Sequence, residues 1–304
     1  MIRIACYPKC FEYEIGLHHT MTVYDWIAMA RAELPAEGLE MYERFLPSTD
    51  RGEVERLRDA IREAGFAMPM FIASPDLAQP DASARQRAVE HQAAMMRVAA
   101  QLGGPGVVCR VLSGQCRPEV SREQGVEWVV ECILQLVPLA RELDVVLGME
   151  NHYKDSQWLY PEFALRMDVF LEIVDGVAGR LGPADRGRFG VQYDPSNAII
   201  AGDDPLELLE AVAGQVVSMH ASDRALRPGV TREQLAQAEG ALGYAPLLQH
   251  GVVGQGMNDY DRIFAALKQA GYHGWVSIED GLNGMEDMRR SLAFLEGMRA
   301  KHFG

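Results

Sequence analysis

The chain has few cysteines, a shortage of positive charge and no long apolar run. Its five cysteines are an odd number with no CxxC pair, which excludes a disulfide framework and a zinc knuckle. Cys6 and Cys10 are spaced for neither a redox pair nor a metal clip. A reducing cytoplasm is the expected compartment. Basic residues number 29 against 43 acidic ones, a net charge of −14. A surface so acidic disfavours DNA, RNA and anionic lipid as partners. The most apolar stretch, VVECILQLVPLA, carries Glu131 and Pro138 and is too short to cross a bilayer. The opening MIRIACYPKC has no basic-then-apolar leader. No stretch rich in Gly, Ser or Pro marks a linker, so residues 1–304 are read as one domain.

What is present is an alternation. Apolar runs suited to buried strands occur at IRIACY (2–7), GLEMYE (38–43), FAMPMFI (66–72), GVVCRVL (106–112), VVLGME (145–150), FGVQYD (189–194), VVSMH (216–220) and WVSIE (275–279). A helical pattern follows each. Eight βα units in a chain of this length predict a (β/α)8 TIM barrel. Capping boxes are expected at Ser121–Gln124 and Thr231–Gln234. Asp204-Pro205 reads as an N-cap with proline at the first helical position. Gly65 and Gly271 read as helix stops. The connection after His220, from SDRALRPGV to GVVGQG, runs to about 35 residues and is expected to form a lid or substrate wall. NHYKDSQWLYPE, after Glu150, is expected to form another wall.

The last four runs each end in a metal-ligand side chain: Glu150, Asp194, His220 and Glu279. In a parallel barrel such ends converge on one mouth. Strand alternation places Gly148 with Glu150, Gln192 with Asp194, Ser218 with His220, and Ser277 with Glu279. The small residues in this set are expected to leave room inside the barrel. Three carboxylates and an imidazole suit one divalent ion, Mn²⁺ foremost, with Mg²⁺, Co²⁺ and Zn²⁺ open. One such residue at a strand end is commonplace, but four in consecutive strands are not.

At GLEMYE, GMENH, QYDPSN, SMHASD and GQGMNDYDRIFAALKQAGYHGWVSIED the chain resembles the xylose-isomerase-like family of sugar isomerases and epimerases. The likeness covers nearly the whole length, and the final helix-strand-Glu279 stretch is its most specific part. It places Glu43 at the end of the second strand, where Glu43 is expected to bind substrate. It implies a metal held by Glu150, Asp194, His220 and Glu279. It also implies that Glu150 and Glu279 move protons on opposite faces of a ketose. Two sugar oxygens on the metal would favour an enediolate, and return of the proton to the other face or the next carbon gives epimerisation or isomerisation.

Other candidates have bland readings beside the functional ones. His152 shares the parity of Glu150 and reads equally as a base near neutral pH or as a group orienting a ligand. Arg110, a charge inside an apolar run, could bind a carboxylate or phosphate. The structural alternative, a partner for an interior carboxylate such as Glu43, is slightly favoured. Asp223 and Arg224 could hydrogen-bond substrate or brace the lid. His18 and His19 are expected in solvent. The expected partner is a small sugar or polyol, and a homo-oligomer is left open.

Three rival readings share parts of this pattern. DNA repair endonucleases of this architecture need extra histidines and a basic groove, which eight histidines and a net charge of −14 argue against. A binding module would have no reason to keep all four ligands. A metal-dependent lyase or dehydratase acting on an oxidised sugar, cyclitol or C-glycoside, with His152 as base, shares the same metal site and stays as the alternative.

Overall fold

The eight apolar runs become the staves of a closed barrel in the computed structural model, which describes residues 1–238, 245–279 and 283–304. Its parallel segments are β1 Arg3–Cys6, β2 Gly38–Leu39, β3 Met41–Tyr42, β4 Met70–Ile72, β5 Val108–Val111, β6 Val146–Glu150, β7 Phe189–Tyr193, β8 Val216–Ala221 and, after an antiparallel pair (β9 Arg224–Leu226 and β10 Leu248–His250), β11 Trp275–Ile278. They are ordered β2-β1-β11-β8-β7-β6-β5-β4-β3. β2 and β3 are two halves of one stave, parted at Glu40. The first half pairs with β1 and the second with β4, so the two ends of the order meet. Nine segments therefore make eight staves, the expected (β/α)8 TIM barrel.

A helix follows each stave: Val23–Glu33, Arg51–Glu63, Ala82–Gly103, Arg122–Leu143, Met167–Ala178, Pro205–Val212, Tyr260–Gln269 and Met285–Phe303. Arg51–Glu63 illustrates why they pack. Val54, Leu57 and Ile61 fall on one face and are buried against the barrel, each contributing roughly 1.5–3 kcal/mol. Asp204 and Thr231 cap their helices as expected, the latter with a reciprocal box. Ser121 accepts from the Gln124 amide but the return bond is absent. Gly65 and Gly271 take the left-handed φ values, +87° and +74°, of helix stops. The run at 66–72 pairs first at Ala67, bridged to Gly38, and resumes as a strand at Met70 after Pro69, which has no N–H to donate.

The barrel interior is closed below the mouth. A Cβ on Gly148 would lie 2.7 Å from Val108 Cγ1, and one on Gly190 2.4 Å from Val217 Cγ1. The space expected from these glycines is filled by valines from neighbouring staves.

The long connection after His220 is tied at its base. The Asp223 carboxylate accepts from the backbone amides of Gly254 (2.9 Å), Gly256 (2.8 Å) and Asn258 (3.2 Å). Leu235 and Leu248 of this connection form a small second core with Ile200, against Tyr153 and Leu165. Residues 239–244 of the expected lid lie outside the described residues.

Candidate metal centre and active site

Asp194 shows how the sequence builds the centre. It follows β7 directly and caps the helix Pro195–Ala201, with Oδ1 accepting from the amides of Ser196 (2.7 Å) and Asn197 (3.1 Å). Ser222 Oγ donates to the same oxygen at 2.7 Å. Among the described residues, the buried Oδ2 has no hydrogen-bond partner. Such an oxygen is costly unless a cation meets it.

Three further ligand atoms surround that point. Glu150 Oε1 and Glu279 Oε2 each lie 3.3 Å from His220 Nδ1. One ligand atom from each of Glu150, Asp194, His220 and Glu279 falls within 4.8 Å of all the others. This group could hold a divalent metal ion. Three carboxylates and one imidazole give the hard-oxygen set such an ion takes.

The charges around the group are arranged in layers. Arg110 Nη1 donates to Glu150 Oε2 at 2.6 Å. Lys9 Nζ lies 3.3 Å from Glu279 Oε1 and 3.1 Å from Glu12. The outer oxygen of each glutamate is thus held by a cation. Burial works to raise the Glu150 carboxyl, but Arg110, with His220 and His152 beside it, brings it down to about 2. Burial likewise raises Glu279, yet Lys9 and His220 hold it well below its ordinary range. Asp194 has no such cation. Burial, then repulsion from Glu279 and Glu150, push it up to about 7.

His220 has a third carboxylate, behind it. Its Nε2 is 2.8 Å from Oε2 of Glu40, at the break between β2 and β3. Gln192 Nε2 is 2.9 Å from Nδ1.

A cavity of about 540 Å³ opens over the centre, walled by the segments after β1 and β6. Lys9, Arg110, His152, Asn197, Arg224 and Glu279 line it. His152 Nδ1 is 3.3 Å from Glu162 Oε2. Glu162 is fully buried, its other oxygen accepting from the Ser113 amide (2.7 Å), Ser113 Oγ (2.5 Å) and the Gly114 amide (3.2 Å). Burial lowers the imidazole's affinity for a proton, but the Glu162 bond together with the negative charges of Glu150 and Glu162 outweighs it and raises His152 above its ordinary value.

Sequence reasoning placed some residues better than others. The four metal-type ligands converge as expected, and Arg110, His152 and Arg224 face the cavity. Arg110 pairs with Glu150 rather than with Glu43. Glu43 is engaged elsewhere, by His91 Nε2 (2.6 Å) and the Ser74 amide (3.0 Å), and is not among the cavity-lining residues. Asp223 takes the bracing part of its two expected roles. His18 and His19 are exposed. Lys9, Glu40 and Glu162 were missed. Glu40 alone carried a signal, its parity with Gly38 and Tyr42 in GLEMYE.

The fold and site define a TIM-barrel protein with a carboxylate–histidine cluster at the C-terminal mouth of its strands. Residues 29–298 match the xylose isomerase-like TIM barrel family, and the chain belongs to it. An inosose dehydratase of Lacticaseibacillus casei is 24% identical over 124 residues, 39% of this chain and 38% of that relative's length. Two solved structures share the fold across nearly the full length. The IOLI protein with a bound zinc atom has a TM-score of 0.72 at 16% identity and covers 100% of both chains. A D-psicose 3-epimerase of Clostridium cellulolyticum H10 has a TM-score of 0.71 at 15% identity, covering 98% of this chain and 99% of that one. Among the described residues no helix is long and apolar enough to cross a membrane.

Proposed function

We propose that this chain is a divalent-metal enzyme acting on a sugar-like hydroxyketone, that His152 takes the carbon-bound proton, and that the outcome is loss of water. One observation carries this reading. The outer oxygens of both metal-site glutamates are held by cations, Arg110 and Lys9, whereas His152 is braced by a buried carboxylate and lines the cavity.

A divalent ion held by Glu150, Asp194, His220 and Glu279 would polarise the substrate ketone and stabilise the charge that develops when the neighbouring carbon loses its proton. The protein's own groups supply the rest. Glu162 fixes the imidazole through Nδ1 and leaves Nε2 to accept the proton. Arg110 orients Glu150 and keeps it ionised. Asn197 Nδ2 lies 3.3 Å from Glu150 Oε1 and adds to that hold. Elimination needs one base: His152 can return its proton to a hydroxyl departing from the same face, so water leaves and a carbon–carbon double bond forms. Epimerisation needs a base on each face, and the two metal-site carboxylates that would serve are already tied to cations. The likeness to an inosose dehydratase agrees with this choice.

The second reading is epimerisation or isomerisation with Glu150 and Glu279 as proton carriers. It is favoured by the 12% exposure of the Glu279 side chain and by its place at the cavity edge. Incubation of the Mn²⁺-loaded protein with inososes and ketoses in D₂O separates the two. A product lighter by one water supports the dehydratase. A product of substrate mass carrying one deuterium supports the epimerase. Tight binding without turnover would leave a sugar-binding protein.

A further inference from the structure

We propose that Glu40 is the positioning residue that commits His220 to bind a divalent metal through Nδ1. This rests on the metal reading above. His220 has two ring nitrogens and could in principle offer either. Nδ1 faces Glu150 and Glu279, at 3.3 Å each. Nε2 points the other way and meets Glu40 Oε2 at 2.8 Å. An imidazole that donates through Nε2 keeps its lone pair on Nδ1, so the Glu40 contact selects the tautomer that the ligand cluster needs.

The setting of Glu40 argues that this contact is its purpose. The side chain is 0% exposed, and among the described residues its buried Oε1 has no hydrogen-bond partner. Among the described residues His220 is its one ion-pair partner. Burying a carboxylate with so little compensation is expensive, and an apolar side chain would fill the position more cheaply. The backbone holds it firmly even so. The Glu40 amide donates to the Cys6 carbonyl at 3.0 Å, and the flanking segments pair with β1 on one side and β4 on the other. The parity of Gly38, Glu40 and Tyr42 sends the side chain into the barrel, behind His220 and away from the cavity. A carboxylate there orients the ring and raises its basicity toward a cation without occupying a coordination position.

The test is Mn²⁺ affinity, read by electron paramagnetic resonance, for the wild type, Glu40→Gln and Glu40→Leu. The ¹⁵N shifts of His220 in the Zn²⁺-loaded proteins and thermal melts in chelator accompany it. Glu40→Gln keeps an acceptor but loses the charge, and is expected to bind Mn²⁺ about 10-fold more weakly; Glu40→Leu loses both, for about 100-fold. The wild-type spectrum should show a protonated Nε2 and a metal-bound Nδ1, with that preference lost in Glu40→Leu. A purely structural role would lower the melting temperature and leave affinity and tautomer unchanged in the folded variant. Glu40→Leu binding Mn²⁺ within twofold of wild type, with the same His220 shifts, overturns the proposal. If Glu40→Leu does not fold, unchanged affinity in Glu40→Gln overturns it instead. A wild type that takes up neither Mn²⁺ nor Zn²⁺ overturns the metal reading itself, a failure visible before any variant is compared.

Discussion

Arg110 Nη1 stands 2.6 Å from Glu150 Oε2, with both side chains buried inside the barrel mouth. The guanidinium also donates from Nε to the Ala73 carbonyl (3.1 Å) and from Nη2 to Ser74 Oγ (2.8 Å). It is therefore fixed by β4's neighbouring segment before it meets the carboxylate. Such a pair matters chiefly for what its loss would leave behind. Removing one partner strands a buried charge, at about 3–5 kcal/mol. Arg110→Met should lower stability by that amount in chelator, as measured by urea unfolding, and Mn²⁺ should restore part of it by neutralising Glu150. A loss under about 1 kcal/mol would mean the pair is better solvated than its burial implies.

Stability of the metal-free protein should fall as pH rises through neutrality. Asp194 has an ordinary value of 3.8 and is pushed up to about 7 in the fold. Between those values the folded state holds a proton the unfolded state has released, so raising the pH favours unfolding. His220 is pushed well above 6.5, and its contribution has the same sign: present below 6.5 and lost as the pH climbs through its folded value. The depressed Glu150 acts in another window. Its contribution is full above 4.5 and fades as the pH falls toward 2. Melting curves in chelator from pH 5 to 8 should thus slope downward, and Asp194→Asn should flatten them. With Mn²⁺ the slope should reverse, because the metal takes deprotonated ligands. A flat wild-type profile in chelator would refute the crowding of charge at this centre.

How much of this was legible in the sequence follows from periodicity. The ends of β6, β7, β8 and β11 could be read because apolar runs stop there and strand parity is simple. GLEMYE was harder. Its two glutamates are three residues apart and therefore have opposite parity. The likeness drew attention to Glu43, but the chain leaves the strand at that residue in a short 3₁₀ turn, Glu43–Phe45. Glu40 keeps the interior parity. Glu162 had no signal at all. It reaches His152 from an irregular segment held by the Gln115–Glu162 bridge, and no period of 2 or 3.6 runs through such a stretch.

Gly190 offers a test of the barrel that does not touch the chemistry. A Cβ there would lie 2.4 Å from Val217 Cγ1 and 2.6 Å from the Gln215 carbonyl oxygen. The valine can turn away, but the backbone oxygen cannot. Gly190→Ala should cost roughly 1–3 kcal/mol through overpacking. The paired variant with Val217→Ala should recover less than half of it. Full recovery would show that the carbonyl contact yields more easily than the register of β7 on β8 allows.

His152 and Glu162 decide between the two chemical readings. If His152 is the base, His152→Gln should cut turnover by about 10²–10⁴-fold while Mn²⁺ affinity stays within twofold, since the ring touches none of the four ligand atoms. Glu162→Gln should keep the three donors from Ser113 and Gly114 partly satisfied but lose the charge that orients the imidazole, giving an intermediate loss in kcat with little change in KM. Glu150→Gln should behave differently, losing metal and turnover together. In D₂O, residual exchange of the substrate's carbon-bound hydrogen should vanish in His152→Gln if that ring takes the proton. Persistent exchange in His152→Gln, with exchange abolished in Glu279→Gln, would transfer the proton to the metal-site carboxylate and make the epimerase the better reading.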